Sequence, residues 1–178
     1  MTKRGFRPVS SPVNKTPPLL PLRATRTSAG YDFFAPCDVE IPPQGKAVFA
    51  TDVKAEMGEN EVLLLVVRSS AGTKRDLMAA NTIGVIDSDY YDNPDNEGNI
   101  HIMLRNLKPA MELSGYKRAV LSSGESVDIP VITDLTSRNT VAIKAGERIV
   151  QGIFVPVLAA DSGNTDAKRE GGLGSSGK

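Results

Sequence analysis

The chain has 178 residues, which is enough for one hydrophobic core and too short for two comfortable domains. It carries 21 basic and 21 acidic residues, so no net field favours binding to nucleic acid or to an anionic membrane. The single cysteine, Cys37, excludes an intrachain disulfide, and no apolar run approaches the roughly 20 residues that span a bilayer. We expect one soluble, cytoplasmic domain.

Short strands are predicted along most of the chain, because glycine and proline recur throughout and divide it into short segments. Residues 47–53 and 100–104 partly alternate between apolar and polar side chains. Glu61–Val67 is continuously apolar, as expected of a strand covered on both faces. One short helix is predicted at residues 75–80. Many short strands with little helical periodicity favour an all-β sandwich, jelly roll or barrel.

The two ends differ in composition from the middle. Residues 1–20 are rich in proline, and residues 160–178 hold few apolar side chains, so neither end can fold alone. We predict a β domain over residues 1–160 and a flexible arm over 161–178. The GGLGSSGK stretch of the arm has Walker A spacing but lacks the strand and helix that such a loop requires. It is either a free tail or an arm whose backbone N–H groups wrap phosphates once something holds it down.

Three polar stretches stand out in chain order, and each also has a purely structural explanation. Asp32 in AGYDFFA fits a turn cap, and Arg68 in RSSAG fits either a strand terminus or an oxyanion site. In GVIDSDY, an extended backbone over residues 85–91 would place Asp87 and Asp89 on one face. Two carboxylates so close raise the proton affinity of one of them, which suits a general base or a metal-ligand pair. Alternatively, the stretch is an acidic hairpin tip with both aspartates in water, and the carboxylates have no catalytic or metal-binding role.

The order of these stretches is more specific than any one of them. AGYDFFA, RSS, N-x-x-GVIDSDY, GERIVQ and GGLGSSG follow one another as do the five motifs of the homotrimeric all-β dUTPases, and the chain resembles that family over residues 29–178. The resemblance implies a jelly-roll-like fold with one short helix and a C-terminal arm exchanged between the subunits of a trimer. It also implies hydrolysis of dUTP to dUMP and pyrophosphate, with Mg²⁺ carried by the triphosphate.

The resemblance assigns roles to individual residues. Asp87 would activate the water that attacks the α-phosphorus, Tyr90 would pack against the deoxyribose and exclude a 2′-hydroxyl, and Asp32 would orient a water on the magnesium. Asn81 would hydrogen-bond the uracil together with main-chain groups of the returning strand, in which His101 is expected to be structural. The full set expected to bind substrate is Arg68, Ser69, Ser70, Asn81, Gly84, Tyr90, Asn99, Ile100, Met103, Arg148, Gln151, Lys168, Arg169, Leu173, Gly174, Ser175 and Ser176.

Three departures from the family pattern alter the expected site. Residues 91–97 separate Tyr90 from Gly98, where the family pattern is much shorter, so the hairpin tip is larger. Leu173 replaces a phenylalanine that stacks on the base, and either Lys168 or Arg169 would reach the γ-phosphate. An insertion at residues 107–140 is predicted to form an extra hairpin or a short helix. Some phage-encoded members of the family carry such an insertion in association with regulatory protein contacts, so the resemblance implies a phage-type enzyme with a regulatory protein partner.

Two other functions stay open on the sequence. A dCTP deaminase of the same superfamily would need a glutamate as its acid and base, whereas this motif carries Asp87. A trimeric regulatory protein without catalysis is favoured by the altered arm and the insertions.

Overall fold

Fourteen β-strands make up most of the regular structure in residues 3–163, 169 and 171, which are the residues that this computed structural model describes. Two short helices, α1 (Ser69–Arg75) and α2 (Thr136–Asn139), and a 3-10 turn at Ser88–Tyr90 complete it. The all-β prediction is confirmed. The strands are β1 Gly5–Pro8, β2 Leu22–Arg23, β3 Tyr31–Phe34, β4 Val39–Ile41, β5 Lys46–Ala50, β6 Val53–Glu56, β7 Glu61–Val67, β8 Leu77–Ala79, β9 Gly84–Asp87, β10 His101–Asn106, β11 Met111–Val120, β12 Ser126–Asp134, β13 Val141–Ile143 and β14 Arg148–Pro156.

All strand pairs are antiparallel. The largest sheet has the order β2-β3-β14-β7-β9 and the second the order β5-β10-β8, while β1 pairs with β6, β4 with β13 and β11 with β12. The predicted strand Glu61–Val67 has those bounds in the structure and lies between β14 and β9. Its central position explains its continuous apolar composition.

One hydrophobic core joins the sheets. Its fully buried side chains include Phe33, Ile41, Leu63, Ile100, Leu104, Ile143 and Ile149. The proline-rich N-terminal segment is tied to this core through Phe6 of β1, whose ring packs edge-on against Tyr31 and Phe33 with centroid distances of 5.3 and 5.4 Å. The segment is therefore ordered by the domain that it covers. No helix within the described ranges is long and apolar enough to cross a bilayer.

The predicted helix at residues 75–80 is wrong in position. The helix starts at Ser69, two residues after Val67, the last residue of β7, and Asp76 ends it in the left-handed conformation with φ of 54°. Leu77 and Ala79 then bury their side chains in β8, which pairs with β10. Tertiary pairing along β10 outweighs the weak local helical preference that the sequence suggested.

The 107–140 insertion contains both of the elements that were predicted as alternatives. β11 and β12 form a long two-stranded hairpin, and α2 follows it. The hairpin leaves the domain at one point, where the Leu135 N–H donates to the Ala110 carbonyl at 2.8 Å and the Asn106 side chain donates to the Asn139 carbonyl at 2.8 Å. Large apolar side chains on it are exposed, among them Met111, Leu113, Tyr116, Val120, Ile129 and Ile132.

Candidate active site

A narrow, mainly apolar cleft lies between β9 and β10. Its volume is about 50 Å³, and its lining includes Leu65, Ala79, Asn81, Gly84, Val85, Ile86, His101, Ile102, Met103 and Val150. Asn81 follows β8 in a tight turn, in which the Thr82 N–H donates to the Ala79 carbonyl at 2.9 Å and Thr82 has a φ of 65°. An apolar slot with one amide side chain at its edge suits a flat heterocycle.

The start of the returning strand differs from the expectation. Asn99 and Ile100 do not line the cleft, because they are committed to the core side: the Asn99 amide donates to Asp52 at 2.9 Å, and the Ile100 N–H donates to the Val53 carbonyl at 2.9 Å. Met103 does line it, as expected, together with His101. His101 is a strand residue, as predicted, but the prediction did not include its side chain in the cleft lining. His101 begins β10 and lies two residues before Met103, so both side chains are on the same face of the strand.

The GVIDSDY stretch is extended only as far as Asp87. The expected strand over residues 85–91 is wrong beyond that point, because a 3-10 turn at Ser88–Tyr90 carries the Tyr90 ring inward to 5% exposure. The Asp87 side chain is 53% exposed at the end of β9. Three residues of β9, Gly84 to Ile86, line the cleft. The carboxylate of Asp87 thus lies directly after the cleft wall.

Asp87 and Asp89 meet through an arginine of the C-terminal arm. The Arg169 guanidinium contacts the Asp87 carboxylate, donates from Nε to Asp89 at 2.8 Å and lies over the Tyr90 ring at 5.6 Å from its centroid. The hydrogen bond to Asp89 is the main cause that raises the pKa of Arg169. The two carboxylates therefore share one cation, although the backbone between them is not extended.

A second group of charged side chains surrounds Asp32, which is only 3% exposed. Its carboxylate lies 3.1 Å from Nε of Arg68 and 3.5 Å from a terminal guanidinium nitrogen of Arg148. Gln151 is the cross-strand partner of Asp32 between β14 and β3, so both side chains leave the sheet on one face. Ser69 and Ser70 are exposed at the start of α1, next to Arg68. The arrangement offers two oriented guanidiniums and several polar donors to an anion.

One chain does not bring Asp87 and the arginine group together. Asp87 is paired with Val62, at the beginning of β7, whereas Arg68 follows the other end of that strand. The six residue steps from Val62 to Arg68 span roughly 20 Å of strand. Lys168, Leu173, Gly174, Ser175 and Ser176 lie outside the described residues.

A slot for a flat ring, together with separate arginines for phosphate groups, is what a nucleotide-binding enzyme on a β scaffold requires, and the chain falls into that class. The profile of the dUTPase family matches residues 18–118, which is more than half of the chain. The chain therefore belongs to the dUTPase family, and its activity is the hydrolysis of dUTP to dUMP and pyrophosphate.

Individual relatives agree with this assignment. The deoxyuridine 5′-triphosphate nucleotidohydrolase of Lactococcus lactis subsp. lactis is 37% identical over 179 residues, with 99% of each chain covered. The crystal structure of dUTPase from Streptococcus mutans is 36% identical and matches with a TM-score of 0.65, covering 89% of this chain and 99% of that one.

Structures of the dUTPase from phage phi11 of Staphylococcus aureus are also similar. One, at 28% identity and a TM-score of 0.64, covers 93% of this chain and 97% of that one and shows a species-specific insert of the phage protein. Another, of a phi11 variant at 27% identity and a TM-score of 0.63 with the same coverage, reveals a structural Mg(II) ion in that protein.

Proposed function

We propose that the chain hydrolyses dUTP by attack of water on the α-phosphorus, with Asp87 as the general base, in active sites assembled between the chains of a homotrimer. One observation carries this assignment. Asp87 ends the strand whose preceding residues line the cleft, and its carboxylate is exposed there. A nucleotide with its base in the cleft would extend its sugar and first phosphate toward this carboxylate. A base placed within reach of the attacking water contributes about 10²- to 10⁴-fold to the rate.

The cleft explains the choice of base and sugar. The Asn81 amide and main-chain groups beside Gly84 and Met103 would pair with the edge of uracil. A cytosine would leave such groups unpaired, at a large cost in selectivity. Tyr90 would lie against the deoxyribose and leave no room for a 2′-hydroxyl. The main-chain pairing extends to Asn99 and Ile100 in the family pattern, but their hydrogen bonds to Asp52 and Val53 favour His101 and Met103 in this chain.

The arginine group would bind the phosphate chain. Arg68 and Arg148 neutralise charge, while Ser69, Ser70 and Gln151 donate to phosphate oxygens, because phosphoryl transfer depends mainly on positioning and on charge stabilisation. The arm would complete the site through Lys168 or Arg169 at the γ-phosphate and through Leu173, Gly174, Ser175 and Ser176 over the nucleotide.

Mg²⁺ is the cofactor that this donor set fits. The described residues contain no cluster of three or more His, Cys, Asp or Glu side chains, and Mg²⁺ in nucleotide sites is held by phosphates, waters and only one or two carboxylates. Asp32 would hold it through a water, with the carboxylate lone pairs that its two arginines leave free. When bound, Mg²⁺ neutralises charge on the triphosphate.

A homotrimer would bring the two groups of a site together. Roughly 20 Å of strand separates Asp87 from Arg68 within one chain, so we assign the two groups of each site to different chains. A neighbouring chain would bring its arginine group to this cleft, and the arm of residues 161–178 would close over a site between chains. The enzyme would act in the cytoplasm, where it limits uracil incorporation into DNA and supplies dUMP.

Asp87→Asn tests the assignment, with Asp89→Asn, two residues further along in the 3-10 turn, as the matched control. We expect Asp87→Asn to lower turnover of dUTP by about 10³-fold while affinity for a non-hydrolysable dUTP analogue stays close to that of the parent, since the amide keeps the shape but accepts no proton. Asp89→Asn should retain most activity. Comparable rates for the parent and Asp87→Asn would overturn the role of Asp87. A deaminated product from dCTP, or no turnover by the parent, would support the two other functions.

The hairpin favours a second function, the binding of a regulatory protein. A two-stranded hairpin with exposed apolar side chains is marginal by itself in water, so a partner that covers it would stabilise it. A pull-down with the parent and with a variant lacking residues 111–134 would test this. The same partners on both proteins would contradict it.

A further inference from the structure

The loop of residues 91–97 is folded back onto Tyr90. The Tyr90 hydroxyl donates to the Asn99 carbonyl at 3.1 Å and accepts from the side-chain amide of Asn96 at 2.8 Å. Tyr90 is buried, so its phenol oxygen is fixed by one bond from the loop and one from the strand entry. The enlarged tip is therefore in direct contact with the residue that faces the sugar in the proposed function.

A second asparagine fixes the orientation of the first. Asn93, 4% exposed, donates from Nδ2 both to Asn96 Oδ1 and to the Tyr90 carbonyl, each at 2.8 Å. Its own Oδ1 accepts the N–H groups of Asp95 and Asn96 at 3.1 Å. Asn96 Oδ1 also accepts the Gly98 N–H at 3.1 Å. With its oxygen used twice, the Asn96 amide can only present its nitrogen to Tyr90.

The far side of the loop is anchored to the domain. The Glu97 carboxylate accepts the N–H groups of Ser10 and Ser11 at 2.8 and 2.9 Å, and Lys54 contacts both Asp92 and Glu97. At the loop's end, a side chain on Gly98 would place its Cβ 2.5 Å from the Tyr90 carbonyl, and Gly98 has a φ of 81°. The loop therefore packs closely against Tyr90, and its contacts with Ser10, Ser11 and Lys54 fix its opposite side to the domain.

From these contacts we propose that Asn96 is a positioning residue that fixes the Tyr90 ring and thereby sets the discrimination of dUTP from its ribonucleotide counterpart, UTP. The inference rests on the proposed place of Tyr90 at the deoxyribose. Exclusion of one hydroxyl requires a wall that does not yield, and close packing of the buried ring supplies part of that rigidity. The hydrogen bonds on both sides of the phenol oxygen add a directional restraint that packing does not provide.

The test compares kcat/KM for dUTP with kcat/KM for UTP in the parent, Asn96→Ala, Asn96→Asp, Tyr90→Phe and the double variant Asn96→Ala/Tyr90→Phe. Asn96→Asp keeps the acceptor for Gly98 but replaces the donor to Tyr90 with a charged carboxylate oxygen, which can only accept from the phenol. We expect Asn96→Ala and Asn96→Asp to reduce the dUTP/UTP ratio by about three- to tenfold, the effect of one hydrogen bond, chiefly through better use of UTP. Tyr90→Phe, which also loses the bond to the Asn99 carbonyl, should reduce the ratio at least as much. The double variant should fall no further than Tyr90→Phe, because both changes remove the same contact.

Pro94→Ala, an exposed change in the same loop, is the matched control and should leave the ratio unchanged. An unchanged ratio in Asn96→Ala, or an equal loss from Asn96→Ala with and without the Tyr90 hydroxyl, would overturn the inference, even if the thermal midpoint falls. Tyr90→Ala separates this outcome from failure of the proposed function. If it leaves the ratio intact, Tyr90 is not at the sugar; if it lowers the ratio while the Asn96 variants do not, only the role of Asn96 fails.

Discussion

Asp32 lies between two guanidiniums and is almost completely buried, whereas Arg68 and Arg148 are partly exposed. Its carboxylate therefore sets the direction in which both arginines point. We expect Asp32→Asn to lower kcat/KM for dUTP by about 10- to 100-fold, because misplaced phosphate ligands lose orientation. The measurement is steady-state kinetics, with Asp38→Asn as the control for the same charge change in an exposed pair with Lys144. Equal kinetics in the two variants would contradict a positioning role of Asp32.

Glu97 makes the stability of the loop depend on pH. The Ser10 N–H is the largest cause that lowers the Glu97 pKa from its ordinary 4.5 to about 2. Because the folded-state pKa is depressed, the contribution of Glu97 to the free energy of unfolding is complete above pH 4.5 and is lost as pH falls toward 2.

The measurement compares the parent with Glu97→Gln. Unfolding midpoints in urea should differ most between pH 5 and 7, and the difference should shrink as pH is lowered from 4.5. A difference that grows in acid would contradict the assigned contacts of Glu97 with Ser10 and Ser11.

At the scale of elements, the strand with a clear apolar pattern was predictable from the sequence, whereas the helix and the turn that follow such strands were not. Glu61–Val67 could be read from seven residues because a central strand is apolar on both faces. The helix at Ser69–Arg75 was missed because its sequence, SSAGTKR, buries only Ala71 and so has no apolar stripe. The order of the motifs along the chain was enough to predict which polar residues belong to the site. The inward position of the Tyr90 ring was not predictable, because it depends on hydrogen bonds with Asn93 and Asn96 that no local sequence pattern indicates.

The β11–β12 hairpin should be separable from catalysis. Replacement of residues 111–134 by two glycines would join Ala110 to Leu135, whose backbone groups are already hydrogen-bonded at 2.8 Å. We expect kcat/KM for dUTP to stay within about twofold of the parent, since the deletion touches neither the cleft nor the arginine group. Steady-state kinetics and the thermal midpoint check this. A loss of turnover with an unchanged midpoint would place the hairpin in the active site.

For the whole molecule, the proposed homotrimer predicts that each site is shared between chains, with Asp87 from one chain and Arg68 from its neighbour. Chains carrying only Asp87→Asn and chains carrying only Arg68→Ala should each have little activity. Unfolded together in equal amounts and refolded, they should recover activity in about a quarter of their sites, because a site needs one intact group from each of two neighbours. Each variant refolded alone is the control. No recovery in the mixture, with trimers present by light scattering, would show that one chain supplies both groups.

The narrow attachment of the hairpin has a consequence for how such chains diversify. Because its two ends meet across one backbone hydrogen bond and none of its residues lines the cleft, a longer, shorter or differently charged hairpin would fit the same attachment point and leave the cleft lining unchanged. The sequence of the hairpin surface and the sequence of the active site can then diverge at different rates. Among natural variants of this chain, residues 111–134 are expected to change freely, while the clasp formed by Asn106 and Asn139 persists.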